Sequence, residues 1–160
     1  MSRLECDGGR IEVVSADVSH IASVAERMRS ADIAEVLAAS GRSPHEALEV
    51  SLRKSAFAWT ALIDGRPEVM FGAGDLNILT LTGVPWLLGT DAVETNYRQF
   101  LRRSVDWRDQ LLRRYDVLRN VVDDRNEVSK RWLRWMGFTI GDPVAVGVHG
   151  EMFRLFELRR

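Results

Sequence analysis

The spacing of apolar and polar residues changes along the chain, and each change marks a different kind of element. After one short β-rich segment at residues 11–15, apolar residues of the first third recur every three to four positions, which predicts helices. From Ala56 the apolar residues are β-branched or aromatic and occur in short stretches, which indicates strands. Helical spacing returns from Asp91, and the chain ends in two further β-rich stretches. The pattern predicts an α+β fold with a mixed sheet.

Start and stop signals divide residues 17–54 into three predicted helices. Asp17 or Ser19 can cap the first, and Gly41 can end the second in the left-handed conformation. The third has the clearest start, because Ser43 can cap it while a proline follows at the first helical position. Spacing predicts inward faces formed by Ile21, Val24, Ala25 and Met28 in the first helix and by Ile33, Val36 and Leu37 in the second.

Residues 57–74 form a predicted β-hairpin that turns at Asp64 and Gly65. Gly72 and Gly74 weaken its second strand. Glycines at these positions indicate a β-bulge or the close approach of another backbone.

The longest predicted helix starts at Asp91, after a short apolar strand that ends at Gly89. Glu94 follows three residues after the cap. One apolar stripe continues along the helix through Val93, Tyr97, Phe100, Ser104, Trp107, Leu111 and Tyr115.

In the segment Val121–Phe138, the residue pattern predicts the end of a buried strand, a turn and a short helix. Asn126 can cap this helix and Gly137 can end it. Helical spacing places Val128, Trp132, Trp135 and Met136 on the buried face and Glu127, Lys130, Arg131 and Arg134 on the solvent face. Residues 144–148 and 152–158 then predict a closing hairpin.

This segment resembles a motif of the GNAT superfamily of acetyltransferases. Asn126, Ser129, Leu133, Gly137 and Phe138 stand where that family carries Asn, Ala, Tyr, Gly and Phe. The resemblance implies a GNAT-like acyltransferase fold with N-terminal helices, a central and mostly antiparallel sheet, a long helix, a strand, a helix and a C-terminal hairpin.

The resemblance also implies a cofactor cleft between two splayed strands, which end at Gly89 and Val122. If acetyl-CoA binds there, the residues implied to contact it are Leu88, Gly89, Asn126 and Ser129.

Other features argue against conventional transfer chemistry. In the family the motif tyrosine often protonates the departing thiolate of CoA, whereas Leu133 has no proton to give. The family binds pyrophosphate with a glycine-rich loop before the long helix, but here that stretch has only Gly89. Asp91 and Glu94 in the first turn can cap the helix but repel a pyrophosphate.

The other candidate chemistry is sparse. Asp75 and Glu68 are candidate general bases for deprotonating an amine, although no spacing singles them out. A single cysteine, Cys6, excludes an internal disulfide framework. No metal site is predicted, because the histidines lack a ligand spacing. They are His20, His45 and His149.

Length and charge constrain the class of protein. The 160 residues suffice for one domain, expected to span 1–160, and the formal net charge is −1. No apolar run could cross a bilayer, and the N-terminal residues lack the apolar centre of a signal peptide. Residues 98–134, however, have 11 Lys and Arg against 6 Asp and Glu. Their basic helix faces form a predicted partner surface: Arg102, Arg103, Arg113, Arg114 and Arg134.

A second resemblance concerns function. The chain is similar, from about Met28 to Phe156, to a family labelled internal virion protein A-like in T7-related podophages. The residues that carry the likeness are Asp32, Gly41, Pro44, Ser55, Trp59, Asp64, Gly65, Phe71, Gly72 and the stretches GVPWLLGT, LRNVVDDRN and RWLRWMGF. This resemblance implies a virion component or morphogenesis factor, made in the cytoplasm of an infected bacterium, with the virion as a second location.

Two main hypotheses follow. The first is a catalytically degenerate GNAT-fold protein that binds a virion or host protein. The alternative is an active acetyl-CoA-dependent N-acyltransferase that modifies a host or phage protein. A nucleic-acid binder ranks lowest, because no recognition motif accompanies the basic residues. The sequence leaves the oligomeric state open.

Overall fold

Seven strands and six α-helices lie within residues 9–160, the part of the chain that the computed structural model describes. Cys6 and most of the N-terminal segment considered above lie outside these residues. The strands are β1 Ile11–Ser15, β2 Ser55–Ile63, β3 Arg66–Asn77, β4 Thr82–Gly89, β5 Val117–Asp123, β6 Thr139–Ala145 and β7 Met152–Arg159. The helices are α1 Ile21–Glu26, α2 Ser30–Ser40, α3 Pro44–Lys54, α4 Ala92–Thr95, α5 Tyr97–Leu112 and α6 Glu127–Trp135. The predicted α+β class is confirmed.

The strands form one sheet in the order β1-β2-β3-β4-β5-β7-β6. Every neighbouring pair is antiparallel except β4 and β5, which are parallel. These two pair only at their first residues, Thr82 with Val117 and Gly83 with Leu118, and then separate. The splay that the resemblance implied is therefore confirmed.

The helices cover both faces of the sheet, and the alternation of side chains along β3 shows how. Val69 and Phe71 belong to the core under α5 and α6, together with Phe100 and Trp132. Met70, between them, belongs to a second core with α1 and α3. Successive side chains of a strand point to opposite faces, so residues 69–73 in the middle of β3 are all apolar because both faces of the strand are covered there.

The predicted hairpin and its irregularity are confirmed. Strands β2 and β3 pair from Ile63 with Arg66 onward, and the register shifts between Ser55 and Phe57. A Cβ at Gly72 would lie 2.2 Å from the carbonyl oxygen of Phe57. Glycine is required here because the bulged strand brings its backbone too close for any side chain.

We expect Gly72→Ala to lower the free energy of unfolding by about 1–3 kcal/mol, because the added methyl group would force the bulge apart. Gly141→Ala is the matched control, since its Cβ would meet only the Leu155 carbonyl at 3.6 Å. Urea denaturation measures both variants. Equal losses would mean that the Gly72 contact imposes no particular constraint.

The predicted inward face of α2 is wrong for two of its three residues. Ile33 and Leu37 are 38% and 57% exposed, whereas Val36 is partly buried against the second core. The helix also docks through carboxylates that accept backbone N–H groups of the sheet, and Asp32 among them is 1% exposed. Its predicted end is confirmed, because Gly41 has a φ of 69°.

The long helix is also interrupted. Asn96 leaves the helical conformation, with φ −108° and ψ 30°, and separates α4 from α5. Its side-chain amide donates to the Ala92 carbonyl at 2.9 Å. An asparagine that bonds nearby backbone competes with the helical ladder, which accounts for the break. Most of the predicted stripe is buried, although Tyr97 is 38% exposed.

Helix α6 begins and ends as predicted, and the predicted burial of Trp132 and Met136 is confirmed, but two other positions differ. Asn126 accepts the Ser129 N–H, and Gly137 has a φ of 96°. Trp135, predicted to be buried, is 50% exposed, whereas Lys130, predicted to be exposed, is 5% exposed. Lys130 is held by the carboxylates of Glu127 at 2.7 Å and Asp124 at 3.2 Å.

The closing hairpin is confirmed as β6 and β7. Strand β6 begins earlier than predicted, at Thr139, and ends at Ala145.

Candidate functional site

The separation of β4 from β5 opens a cleft with a volume of about 360 Å³. Its walls are mainly apolar and aromatic. Residues that line it include Trp86, Leu87 and Leu88 of β4, Ser129, Trp132 and Leu133 of α6, Met136 directly after α6, and Phe153 and Phe156 of β7. A cleft of this size and character can hold a small, largely apolar group.

Helix α2 spans the open end of the cleft. Asp32 accepts the backbone N–H of Gly89, the last residue of β4, at 3.0 Å. One turn further, Glu35 accepts the backbone N–H of Asp123, the last residue of β5, at 2.6 Å. We call these two carboxylates and the amides that they hold the carboxylate clasp. The clasp ties one helix to the ends of both splayed strands.

Burial shifts the pKa of both carboxyl groups. Desolvation raises the pKa of Asp32 to about 6, and the nearby Arg29 guanidinium and the Gly89 N–H oppose the shift. Desolvation likewise raises the pKa of Glu35 to about 7, against the opposing effect of the Asp123 N–H. Glu35 lines the cleft. The cleft therefore contains a carboxyl group that titrates near neutrality.

Arg29 anchors the start of α2 beside the end of β4. Its backbone N–H donates to the Gly89 carbonyl at 2.9 Å. Its guanidinium is buried, and it lies 3.6 Å from Asp32 and 3.7 Å from Glu94. None of its three side-chain nitrogens has a hydrogen-bond acceptor within the described residues. The ion pairs therefore supply the only compensation for this charge within residues 9–160.

The turn after β4 does not fit a diphosphate. Three N–H groups of this turn are already used: Gly89 donates to Asp32, Thr90 to the Glu68 carbonyl, and Val93 to the Thr90 carbonyl. Helix α4 has only four residues and carries Glu94 in its first turn. The positive charge of Arg29 is already balanced by Asp32 and Glu94. The cleft matches an acyl-pantetheine arm in character, but the turn offers no open cradle for the pyrophosphate of CoA.

The residues implied to contact the cofactor lie around one end of this cleft. Leu88 and Ser129 line it. The N–H of Gly89 is held by Asp32. Asn126 is buried, caps α6 and donates its side-chain amide to Glu35 at 3.3 Å. Whether any of them contacts a cofactor stays a prediction.

The two candidate bases lie outside the cleft lining. Asp75 accepts the Tyr115 hydroxyl at 2.6 Å and pairs with Arg114 at 3.3 Å. These hydrogen bonds, chiefly that from Tyr115, lower the pKa of Asp75. Glu68 is buried, and both of its carboxylate oxygens accept from one nitrogen of Arg27, at 2.7 and 2.9 Å. Both carboxylates are already occupied by structural partners.

Sequence reasoning missed the residues that close the cleft, Arg29, Asp32 and Glu35. Asp32 and Glu35 lie three apart on one side of a helix, but an exposed pair would have the same spacing. Their partner amides lie 57 and 88 residues away along the chain. No local signal could have shown that these carboxylates are the docking face.

The residues of the predicted partner surface are all exposed: Arg102, Arg103, Arg113, Arg114 and Arg134. Two of them also have intramolecular partners. Arg103 donates to the Ile11 carbonyl at 3.3 Å, and Arg114 pairs with Asp75. Their role toward a partner stays a prediction.

Two further features concern the part of the chain at residues 9–160. No three His, Cys, Asp or Glu side chains there are grouped so as to hold a metal ion. No helix in this part of the chain has the length and hydropathy to span a membrane.

No family model and no curated protein sequence matches this chain. Solved structures do match it along most of its length. An N-acetyltransferase from Staphylococcus aureus Mu50 is 14% identical with a TM-score of 0.69, over 94% of this chain and 98% of that one. A GNAT-family acetyltransferase from Streptococcus pneumoniae is 14% identical with a TM-score of 0.63, over 94% and 99%.

The protein yncA from Salmonella typhimurium, solved with its cofactor acetyl-CoA, is 16% identical with a TM-score of 0.65, over 93% of each chain. At these identities the likeness shows the fold alone. The chain therefore has the GNAT acetyltransferase fold, as the resemblance of residues 126–138 implied.

Proposed function

We propose that this GNAT-fold protein acts by binding rather than by transferring an acetyl group from CoA. The observation that carries the proposal is the hydrogen bond from the Gly89 N–H to the buried carboxylate of Asp32. A carboxylate of the chain itself occupies the amide at the end of β4, where an anionic cofactor would need an open donor. The cleft between β4 and β5 is present, but the backbone amide at the end where the phosphates of CoA would bind already has a carboxylate partner.

The chemistry of the cleft supports the same proposal. Leu133 lines the cleft at the motif position where the family carries tyrosine, and a leucine cannot protonate a leaving thiolate. The candidate bases Asp75 and Glu68 are engaged in ion pairs away from the cleft. The chain thus lacks both an open phosphate-binding turn after β4 and a general acid at the motif position.

Thermal unfolding in the presence of acetyl-CoA tests this proposal. A ligand present at about 100 times its Kd stabilises a protein by about 2.7 kcal/mol, which raises the Tm of a chain of this size by several degrees. We expect no rise with millimolar acetyl-CoA or CoA. A concentration-dependent rise would overturn the proposal.

The site of action follows from the second sequence resemblance. We place the binding role in phage particles, as a virion component or morphogenesis factor that contacts a virion or host protein. The support is the similarity to internal virion protein A-like sequences. Peptide mass spectrometry of purified particles should detect the chain at a fixed ratio to the capsid protein. Its absence from particles that contain all other structural proteins would contradict a virion component.

An acetyl-CoA-dependent N-acyltransferase is the second candidate, acting on a host or phage protein. The splay of β4 from β5 and the cleft of about 360 Å³ favour it. In that case Glu35, the cleft carboxyl with a pKa of about 7, is the group suited to take a proton from an amine. Acetyl-CoA-dependent release of free thiol with a lysine-rich protein mixture would support this candidate over the binding role.

A further inference from the structure

The turn that joins β3 to β4 exposes a run of aliphatic side chains. Leu76 is 57% exposed, Ile78 75%, Leu79 95% and Leu81 40%. Leu79 is therefore almost entirely in water. We call residues 76–81 the β3–β4 finger. Apolar side chains grouped in this way on a soluble surface usually mark a site of interaction.

The finger has a defined shape and extends past its neighbouring strands. The Asn77 side chain accepts the N–H groups of Leu79 at 2.9 Å and Thr80 at 3.2 Å, which fixes the turn. Strand β2 pairs with β3 only as far as Gly74, and β5 begins opposite Thr82. The tip of the finger thus projects beyond the sheet on both sides.

Basic residues surround the base of the finger, because several elements end there. Helix α3 ends beside Gly74 and α5 ends next to the segment that pairs with Leu81, while β7 ends against the first residue of β5. The basic residues at these ends are Arg53, Lys54, Arg113, Arg114, Arg159 and Arg160.

Only part of this positive charge is neutralised. Arg114 pairs with Asp75, Arg159 with Glu157 and Arg160 with Asp116. The other three basic residues have no carboxylate within ion-pair distance among residues 9–160; they are Arg53, Lys54 and Arg113. This end of the molecule therefore combines an aliphatic tip with a net positive base.

We infer that the β3–β4 finger docks this protein on an anionic lipid surface, with Ile78 and Leu79 entering the acyl region and the basic residues meeting the headgroups. Aliphatic side chains on a protruding turn, ringed by Lys and Arg, provide the two contributions that peripheral binding requires. A protein partner is the less favoured occupant, because hot spots of protein interfaces are enriched in Trp, Tyr and Arg and poor in Leu. The inference is independent of what the cleft binds.

Co-sedimentation with vesicles tests the inference on the full chain. Wild type should bind vesicles made of equal amounts of phosphatidylcholine and phosphatidylglycerol, and should bind phosphatidylcholine vesicles much less. The double variant Ile78→Ser/Leu79→Ser should reduce affinity for the anionic vesicles by about tenfold or more, since it removes the apolar contribution. Arg113→Glu should also weaken binding to the anionic vesicles. The difference in affinity between this variant and wild type should be larger at low salt, because charge attraction is screened less there.

Leu37→Ser is the matched control, because Leu37 is also 57% exposed but lies on α2 rather than on the β3–β4 finger. It should bind vesicles as wild type does. Far-UV circular dichroism and Tm confirm that each variant is folded. No binding of wild type to anionic vesicles, or equal losses in the finger variant and the Leu37 variant, would overturn the inference and leave a protein partner as the occupant of the finger.

Discussion

Asp32→Ala is expected to lower the free energy of unfolding by about 3–5 kcal/mol, the largest loss expected from any single change in the clasp. The substitution removes a carboxylate that is 1% exposed. It leaves the guanidinium of Arg29, 2% exposed, with Glu94 at 3.7 Å as its one remaining carboxylate among residues 9–160. It also removes the acceptor of the Gly89 N–H. A buried charge without its partner and a buried donor without an acceptor are both costly.

Urea denaturation of three variants separates these contributions. Asp32→Asn keeps an acceptor for the Gly89 N–H but provides no negative charge for Arg29. It should therefore lower the free energy of unfolding, but by less than Asp32→Ala does. Asp91→Ala is the matched control, because Asp91 is exposed and makes no side-chain cap, and its effect should stay within about 0.5 kcal/mol. If Asp32→Ala costs no more than Asp91→Ala, the clasp contributes nothing to stability.

Lowering the pH from 8 to about 5.5 is expected to stabilise the protein. Glu35 has a pKa of about 7 in the folded chain against an ordinary value of 4.5, so the folded state binds its proton more readily than the unfolded state does. For a carboxyl group with a raised pKa, stability increases as the pH falls through the folded value and stops increasing below the unfolded one. Asp32 adds an effect of the same sign between about 6 and 3.8.

Since each unit of pKa difference corresponds to about 1.4 kcal/mol, the full gain from Glu35 is roughly 3 kcal/mol and is complete only below the unfolded value of 4.5. The part of this gain expected between pH 8 and 5.5 is about 2 kcal/mol. At lower pH the sign reverses, because carboxylates with lowered pKa values, such as Asp123 and Asp124, then lose their ion pairs. Maximum stability should therefore lie near pH 5, roughly.

Glu35→Gln provides the direct check of the pH effect. It keeps an oxygen for the Asp123 N–H but cannot ionise, so it should raise the Tm at pH 8 and flatten the profile between pH 8 and about 5.5. Glu26→Gln, an exposed change on α1, should leave the profile of wild type intact. A wild-type profile that is flat or falls over this interval would contradict the environment assigned to Glu35.

The elements were predictable from sequence where their determinants are local. The turn at Asp64 and Gly65, the start of α3 at Ser43 and the end of α6 at Gly137 each depend on residues within a few positions. The splay of β4 from β5 came from the family resemblance rather than from pattern, because strand pairing joins residues far apart in sequence.

Which face of a helix is buried was less predictable from the sequence. Helix α2 has an aliphatic stripe and an acidic stripe, and hydrophobic periodicity selects the aliphatic one. The structure buries Asp32 as well, because backbone N–H groups at two distant strand ends donate hydrogen bonds to it and to Glu35. Lys130 in α6 is a similar case, since two carboxylates make its burial tolerable. Local composition cannot report such long-range compensation.

The sequence predicted which family features the candidate site lacks. It did not predict that carboxylates of α2 bind the strand ends beside the cleft. The single glycine before the long helix and Leu133 in the motif are visible in the sequence. Nothing in the sequence shows that Asp32 occupies the amide of that glycine. The carboxylates that hold the two strand ends come from a helix that the family motif does not include.

Isothermal titration of the purified chain with acetyl-CoA at moderate salt is the most direct test of the central claim, that the closed turn after β4 excludes the cofactor. We expect no saturable heat at concentrations up to millimolar, and the same with Asp32→Asn, because the remaining amide oxygen still holds the Gly89 N–H. Single-site binding with a micromolar Kd would contradict the account, since it would mean that the diphosphate binds without the Gly89 amide.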